Sequence, residues 1–196
     1  GIATKYLARR DATRVALIGS GAQARTQLEA VSNVRRLELV KVYDKRSKVS
    51  EDFVARMKKK YEFKLEISDS VETCVADADI ICTLTPARGP VVKMEWIKPG
   101  THINAIGADA PGKQELDPQI LRKAKIVIDD WAQASHSGEI NVPLTQGIIN
   151  QGDIYGEIGD IVVGKRPGRT DDEEITVFDS TGLALQDLTA AWRTYQ

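Results

Sequence analysis

The sequence predicts an α/β fold: a doubly wound, mostly parallel sheet with helices on both faces. Three observations carry this. Short apolar runs rich in strand formers alternate with stretches of helical periodicity, the pattern of repeated βαβ units with right-handed crossovers. Gly19-Ser20-Gly21-Ala22-Gln23-Ala24 stands between the first such run and the first helix. Asp44 closes the second run, about 20 residues further on, where a dinucleotide-binding unit places an acid. Strand, glycine turn, helix and downstream acid in this order describe a Rossmann-type unit, expected as one domain over residues 1–196.

Taken in order, Ile2–Arg9 reads as a helix ending before Asp11. Val15–Ile18 is the first strand, and a helix follows over about Ala22–Val31. Leu37–Tyr43 is the second strand; the next helix, about Ser50–Tyr61, puts Phe53, Val54 and Met57 on one stripe. Phe63–Ile67 is the third strand, and Ser68-Asp69-Ser70 offers caps to a short helix over Val71–Val75. The fourth, Asp79–Thr83, is nearly all apolar, as a strand buried on both faces should be. Val91-Val92 suggests a short strand, and Pro99-Gly100 turns the chain into the fifth, Thr101–Ile106. A loop over Gly107–Gly112, a helix over Asp117–Arg122 and a sixth strand over Lys125–Ile128 come next. Asp129–Gly138 holds a helical turn or two, while Pro143–Ile149 and Ile154–Val163 read as helices. A polar loop over Lys165–Asp172, a strand over Ile175–Phe178 and a helix over Leu183–Tyr195 finish the pattern.

Charge and composition narrow the function. The chain carries 27 Lys and Arg against 28 Asp and Glu, a formal charge of −1. Residues 1–60 hold 15 basic against 6 acidic residues, which gives the stretch with the glycine turn some attraction for a phosphorylated cofactor, although solvated cations are the stronger reading. Lys58-Lys59-Lys60 instead fits a helix end, and no aromatic residues interleave with the cations to stack bases, which argues against nucleic acid. No apolar run approaches the length of a membrane span, and no signal-peptide pattern opens the sequence, so a cytoplasmic protein is expected. Cys74 and Cys82 make no disulfide framework and read as small core residues. Without a histidine or cysteine cluster no metal site is expected. His102, inside a strand, reads as structural and His136 as solvated.

The glycine turn points to a pyrophosphate. Gly19 permits the turn, Gly21 lets the backbone come close, and Ala24 lets helix and strand pack; helix N–H groups and dipole favour the anion. The alternative is a tight βα turn that binds nothing. A carboxylate at Asp44 accepts hydrogen bonds from ribose hydroxyls and repels a 2′-phosphate, favouring NAD. Lys45 and Arg46 follow directly and can neutralise such a phosphate, so NADP stays open, although Arg46 reads better as a solvated loop cation. Thr83 and Thr85, at and just past the end of the fourth strand, lie where an open parallel sheet binds ligands, or else bond their own turn. The loop past the fifth strand carries one carboxylate, Asp109, and one ammonium, Lys113. Asp109 is a candidate general base toward an amine or a water, or a loop-capping residue.

Longer stretches carry a resemblance. They are Tyr6-Leu7-Ala8-Arg9, the glycine turn with Gln23, Thr83-Leu84-Thr85-Pro86-Ala87, residues 98–109 and 111–116, Gly138-Glu139-Ile140-Asn141, and Phe178-Asp179-Ser180-Thr181-Gly182-Leu183. Through them the chain resembles the ornithine cyclodeaminase/μ-crystallin family, and within it the archaeal-type alanine dehydrogenase branch. The resemblance implies that Ala22, Gln23, Asp44, Thr83, the backbone of Ala105, Ile106, Gly107 and Ala108, and Ser180 contact the cofactor, with Ser180 near its nicotinamide end. It assigns the acid/base role to Asp109.

The resemblance further implies a hydride exchanged between a nicotinamide cofactor and the Cα–N bond of an amino or imino acid. Oxidative deamination to a 2-oxo acid and ammonia is the leading expectation. The alternatives are cyclodeamination of ornithine to proline and a non-catalytic, crystallin-like binder. Family members also have a substrate-binding and dimerisation domain, expected to be absent from these 196 residues. The chain is therefore expected to bind NAD(H) with little turnover, within a parent that is a homodimer.

Overall fold

A computed structural model describes residues 1–195, apart from the side chains of residues 185–187. Eight strands form one sheet: β1 (Arg14–Ile18), β2 (Leu39–Tyr43), β3 (Lys64–Ile67), β4 (Ile80–Thr83), β6 (His102–Ala105), β8 (Lys125–Ile128), β9 (Ile154–Glu157) and β10 (Thr176–Asp179). Their order is β3-β2-β1-β4-β6-β10-β8-β9, and every neighbouring pair is parallel. The order reverses between β1 and β4, the switch point at which such sheets open a crevice beyond their carboxyl ends. Two further strands, β5 (Arg88–Val92) and β7 (Gln114–Leu116), pair as a separate parallel ribbon.

Side-chain alternation along the strands builds two apolar layers. Val15 and Leu17 of β1 pack with Val40, Val42, Ile80 and Cys82, covered by Leu28 and Val31 of α2 (Ala22–Ser32) and Phe53 and Met57 of α3 (Ser47–Met57). Ala16 and Ile18 face the other way, into a layer with Ile81, Ile103, Ile126, Ile128 and Val177. That layer is closed by α4 (Val71–Val75), α5 (Pro118–Lys123), α6 (Trp131–Ser137) and α7 (Asn141–Thr145). Val127 alternates back to meet Leu7 of α1 (Ile2–Leu7) and Ile161 of α8 (Ile158–Val162). Helices thus lie on both faces, and α9 (Ala184–Tyr195) follows β10.

Several boundaries differ from the sequence reading. Ile154–Val163 is not one helix: Ile154–Glu157 is the edge strand β9, and only Ile158–Val162 is helical. Ile154, Ile158 and Ile161 are spaced like a helical stripe, but the stripe crosses a strand–helix junction. Helix α7 covers Asn141–Thr145 rather than Pro143–Ile149, and the Val91-Val92 strand extends back to Arg88. Helix α3 begins at Ser47 rather than Ser50 and stops at Met57 rather than Tyr61, leaving Lys58–Lys60 in the turn beyond it. Strand β7 was not foreseen, since three residues are too few for periodicity to register.

Two arginines hold the short helix α1 in place. Arg35 donates to the carbonyls of Thr4 (2.9 Å), Ala8 (2.8 Å) and Arg9 (2.8 Å), and Arg169 to that of Leu7 (2.7 Å). The buried His102 bridges Thr176 Oγ1 (2.9 Å) and Asn104 Oδ1 (3.1 Å), and Asn104 Nδ2 donates to Thr4 Oγ1 (3.0 Å). Burial, with the charge of Arg169, pushes the His102 pKa down to about 3, so it stays neutral. Arg35→Ala is expected to cost about 2 kcal/mol in urea unfolding, because charge-assisted bonds to carbonyls are lost together.

Candidate cofactor site

The glycine turn sits at the switch point. Gly19 has φ +97°, a left-handed value that side-chain-bearing residues avoid, and donates its N–H to Tyr43 O at 2.8 Å. A Cβ there would stand 2.8 Å from the Leu84 carbonyl oxygen, so the loop after β4 leaves room only for glycine. Gly21 is the N-cap of α2 and supplies no side-chain cap, and a Cβ on it would meet nothing within 4 Å. Ala22 and Gln23 are exposed at the helix start while Ala24 is fully buried against the sheet. An uncapped helix N-terminus beside open space is a fitting cradle for a pyrophosphate.

Asp44 leaves β2 beside this turn. Its Oδ2 accepts from Ser20 N–H (2.9 Å) and Ser20 Oγ (3.2 Å), and its Oδ1 from Arg46 N–H (3.0 Å). Burial opposes its charge, but these donors and the Arg46 guanidinium prevail and hold the carboxyl below its ordinary pKa. Arg46 reaches Asp44 only at 3.8 Å and is 75% exposed; Lys45 is exposed too. The end of β2 thus presents a fixed negative charge with two exposed cations next to it.

The carboxyl ends of β4, β6 and β10 meet beside the turn. Ile106 N–H donates to Thr83 O and Ser180 N–H to Ala105 O, each at 3.0 Å, locking the three loops in register. Thr83, Ala105 and Ala108 are buried, while Ile106, Gly107 and Ser180 are partly exposed. Thr85 turns inward: its N–H (2.6 Å) and hydroxyl (2.7 Å) both donate to Glu115 Oε1. Asp109 is 61% exposed and forms an ion pair with Lys113 one helical turn's spacing away. Asn141 secures that loop, accepting from Gly112 N–H (3.0 Å) and donating to Lys113 O (3.1 Å) and to Gly138 O.

Beneath these loops lie acids that the sequence reading did not single out. Glu115, Glu139 and Asp179 are fully buried and Asp129 nearly so. Glu115 Oε2 accepts from Gly107 N–H (2.9 Å); Glu139 accepts from Glu115 N–H (3.0 Å) and Leu116 N–H (2.7 Å). Asp179 Oδ2 accepts from Ile140 N–H (3.1 Å), and Asp129 Oδ2 from Thr181 N–H (2.6 Å) and Gly182 N–H (2.9 Å). Burial pushes Asp179 up to about 7, and burial with neighbouring carboxylates carries Glu139 well above the ordinary range. Asp179 had a signal in the sequence: an acid ending the apolar run Ile175–Phe178 needs buried partners.

The other candidates lie elsewhere. Cys74 and Cys82 are buried, and burial pushes their thiols up to about 12 and about 11, so neither is a ready nucleophile. His136 is exposed on α6. A concavity of about 530 Å³ lined by Arg9, Arg10, Arg169 and Asp172 opens at the amino-terminal edge of the sheet, opposite the glycine turn. No helix among the described residues is long and apolar enough to cross a membrane.

Known proteins share this fold. The alanine dehydrogenase of Archaeoglobus fulgidus is 50% identical over 198 residues, covering all of this chain and 60% of that protein. A solved archaeal alanine dehydrogenase dimer with bound NAD matches 97% of this chain and 58% of its own, at 49% identity and a TM-score of 0.94. The Thermococcus litoralis Δ1-pyrroline-2-carboxylate reductase, solved with NADH and L-proline, matches 97% of this chain and 59% of its own, at 42% identity and a TM-score of 0.94. The chain therefore spans about three-fifths of the length of these relatives. The family model for ornithine cyclodeaminase/mu-crystallin matches residues 1–196 from end to end, and the chain belongs to that family.

Proposed function

We propose that residues 1–196 bind NAD(H) as the cofactor half of an amino-acid dehydrogenase acting on the Cα–N bond, as the alanine dehydrogenase relatives do. The observation that carries this is the convergence on one sheet edge of an uncapped helix start at Gly21, the charged Asp44, and the Asp109–Lys113 pair. Gly19, Gly21, Ala22 and Gln23 cradle the pyrophosphate, and Asp44 receives the ribose hydroxyls. Lys45 and Arg46 flank the ribose. Thr83, Thr85, the backbone of Ala105–Ala108, and Ser180 bound the nicotinamide end. Bound NAD supplies the acceptor for the hydride leaving Cα. Asp109 takes the proton from the amine, then serves the water that hydrolyses the imine to a 2-oxo acid and ammonia. Lys113, paired with Asp109, orients its carboxylate. The dimer seen for the archaeal relative is proposed for the longer protein, with a cytoplasmic location.

Titration of the chain with NADH and NADPH, followed by nicotinamide fluorescence, tests the reading. NADH is expected to bind at least about tenfold more tightly, because a 2′-phosphate would face the Asp44 carboxylate. Equal affinities would remove the NAD preference, and no binding of either would remove the assignment. Residues 1–196 alone are expected to turn over alanine very slowly.

A further inference from the structure

One buried carboxylate ties together the two loops at the nicotinamide end. Glu115 lies on the β5–β7 ribbon, outside the main sheet. It takes the Thr85 N–H and hydroxyl on one oxygen and the Gly107 N–H on the other. Its bonding partners are backbone and hydroxyl donors of the loops after β4 and β6. Its own backbone is held in turn: Glu139 receives the N–H groups of Glu115 and Leu116, and Asp179 receives that of Ile140, next to Glu139. The built position of a Cβ on Gly138 falls well inside contact distance of the Asp179 carboxylate, so this approach needs a glycine. The chain of contacts runs from the end of β10 through residues 138–140 to β7, and from there to both loops.

Burying a carboxylate is costly unless its oxygens are fully used. Here the use has a directional result. A trans peptide points its N–H and C=O in opposite directions. With the Gly107 N–H drawn inward to Glu115, the Ile106 carbonyl is aimed away from the ribbon. With the Thr85 N–H drawn the same way, the Leu84 carbonyl is turned toward Gly19, and that oxygen does stand over Gly19. We infer that Glu115 is a positioning residue for the nicotinamide half of the cofactor, setting the peptide plane at 106–107 past the end of β6, with Glu139 and Asp179 as its support. This rests on the NAD(H) reading given above.

The test compares NADH with ADP-ribose, which shares the adenosine and pyrophosphate but lacks the nicotinamide. In Glu115→Gln the amide oxygen keeps the two Thr85 donors, and the Gly107 N–H faces the amide NH2 instead of an oxygen. NADH affinity is expected to fall about tenfold, the loss of one well-aligned polar contact. ADP-ribose affinity should stay within about twofold of wild type by the same conversion. The fluorescence gain of bound NADH should weaken with it. A parallel loss of both ligands, or no loss of NADH, overturns the inference. Wild-type protein that binds neither ligand overturns the cofactor reading and the inference with it, whereas wild type binding both and Glu115→Gln binding both normally defeats the inference alone. If Glu115→Gln does not fold, Glu115→Asp reads the same ratio, being charged but one methylene too short to span both loops. If neither variant folds, Glu115 is a folding residue only and the inference fails.

Discussion

Wild-type protein should lose stability as the pH rises from about 4 to about 7, and Asp179→Asn should remove much of that slope. The fully buried Asp179 is pushed from its ordinary value up to about 7, chiefly by burial and also by the neighbouring Asp129. Between the unfolded and folded pKa the folded state holds the extra proton, so each rise in pH favours unfolding. The contribution is fully present below the unfolded value and is lost as pH passes the folded one. Three pKa units correspond to on the order of 4 kcal/mol. Glu139 and Glu115, both raised, act in the same direction. Asp44 and Asp79, both lowered, act oppositely and only below about pH 4, their ordinary range. Urea midpoints at pH 5 and pH 8 check this. Asparagine keeps a carbonyl for Ile140 N–H but cannot ionise. An equal pH slope in wild type and Asp179→Asn would contradict the assignment.

Gly19→Ala and Gly21→Ala should separate folding from binding. Alanine at 19 must adopt φ near +97° and place its Cβ 2.8 Å from Leu84 O, in a turn pinned to Tyr43. Such strain costs about 1–3 kcal/mol before the clash is counted, so the unfolding midpoint should drop and NADH binding should be lost with it. Alanine at 21 meets no protein atom within 4 Å, so the fold should be nearly unaffected. Its methyl group would occupy the space assigned to the pyrophosphate, and NADH and ADP-ribose should both weaken by about a hundredfold or more. If Gly21→Ala bound NADH normally, the cradle would be in the wrong place.

Much of the fold was legible because strong periodicity leaves few options. Val15–Ile18, Ile80–Thr83 and Lys125–Ile128 are short apolar runs between turn signals, and each is a central strand. β9 was not legible, because an edge strand of half-buried residues needs no continuous apolar run. The glycine turn and Asp44 could be placed at the same sheet edge from spacing alone. What spacing could not show was depth. Glu115 stands among polar residues of a loop-like stretch, and only the tertiary fold reveals that its side chain is completely enclosed. Thr85 likewise looked free to face a ligand; its hydroxyl is committed to Glu115, a partner 30 residues away.

The position of β10 has a consequence for how the molecule is assembled during synthesis. It is the last in sequence of the described strands, yet it lies inside the sheet, between β6 and β8, pairing Thr176 with His102 on one side and Lys125 on the other. Until residue 179 has emerged, β6 and β8 have no native neighbour on their facing edges, and those edges must stay apart. The same strand delivers Asp179 and Ser180. Closing the sheet and finishing the cleft proposed for the cofactor are therefore a single late event, and a nascent chain that stops short of it has neither.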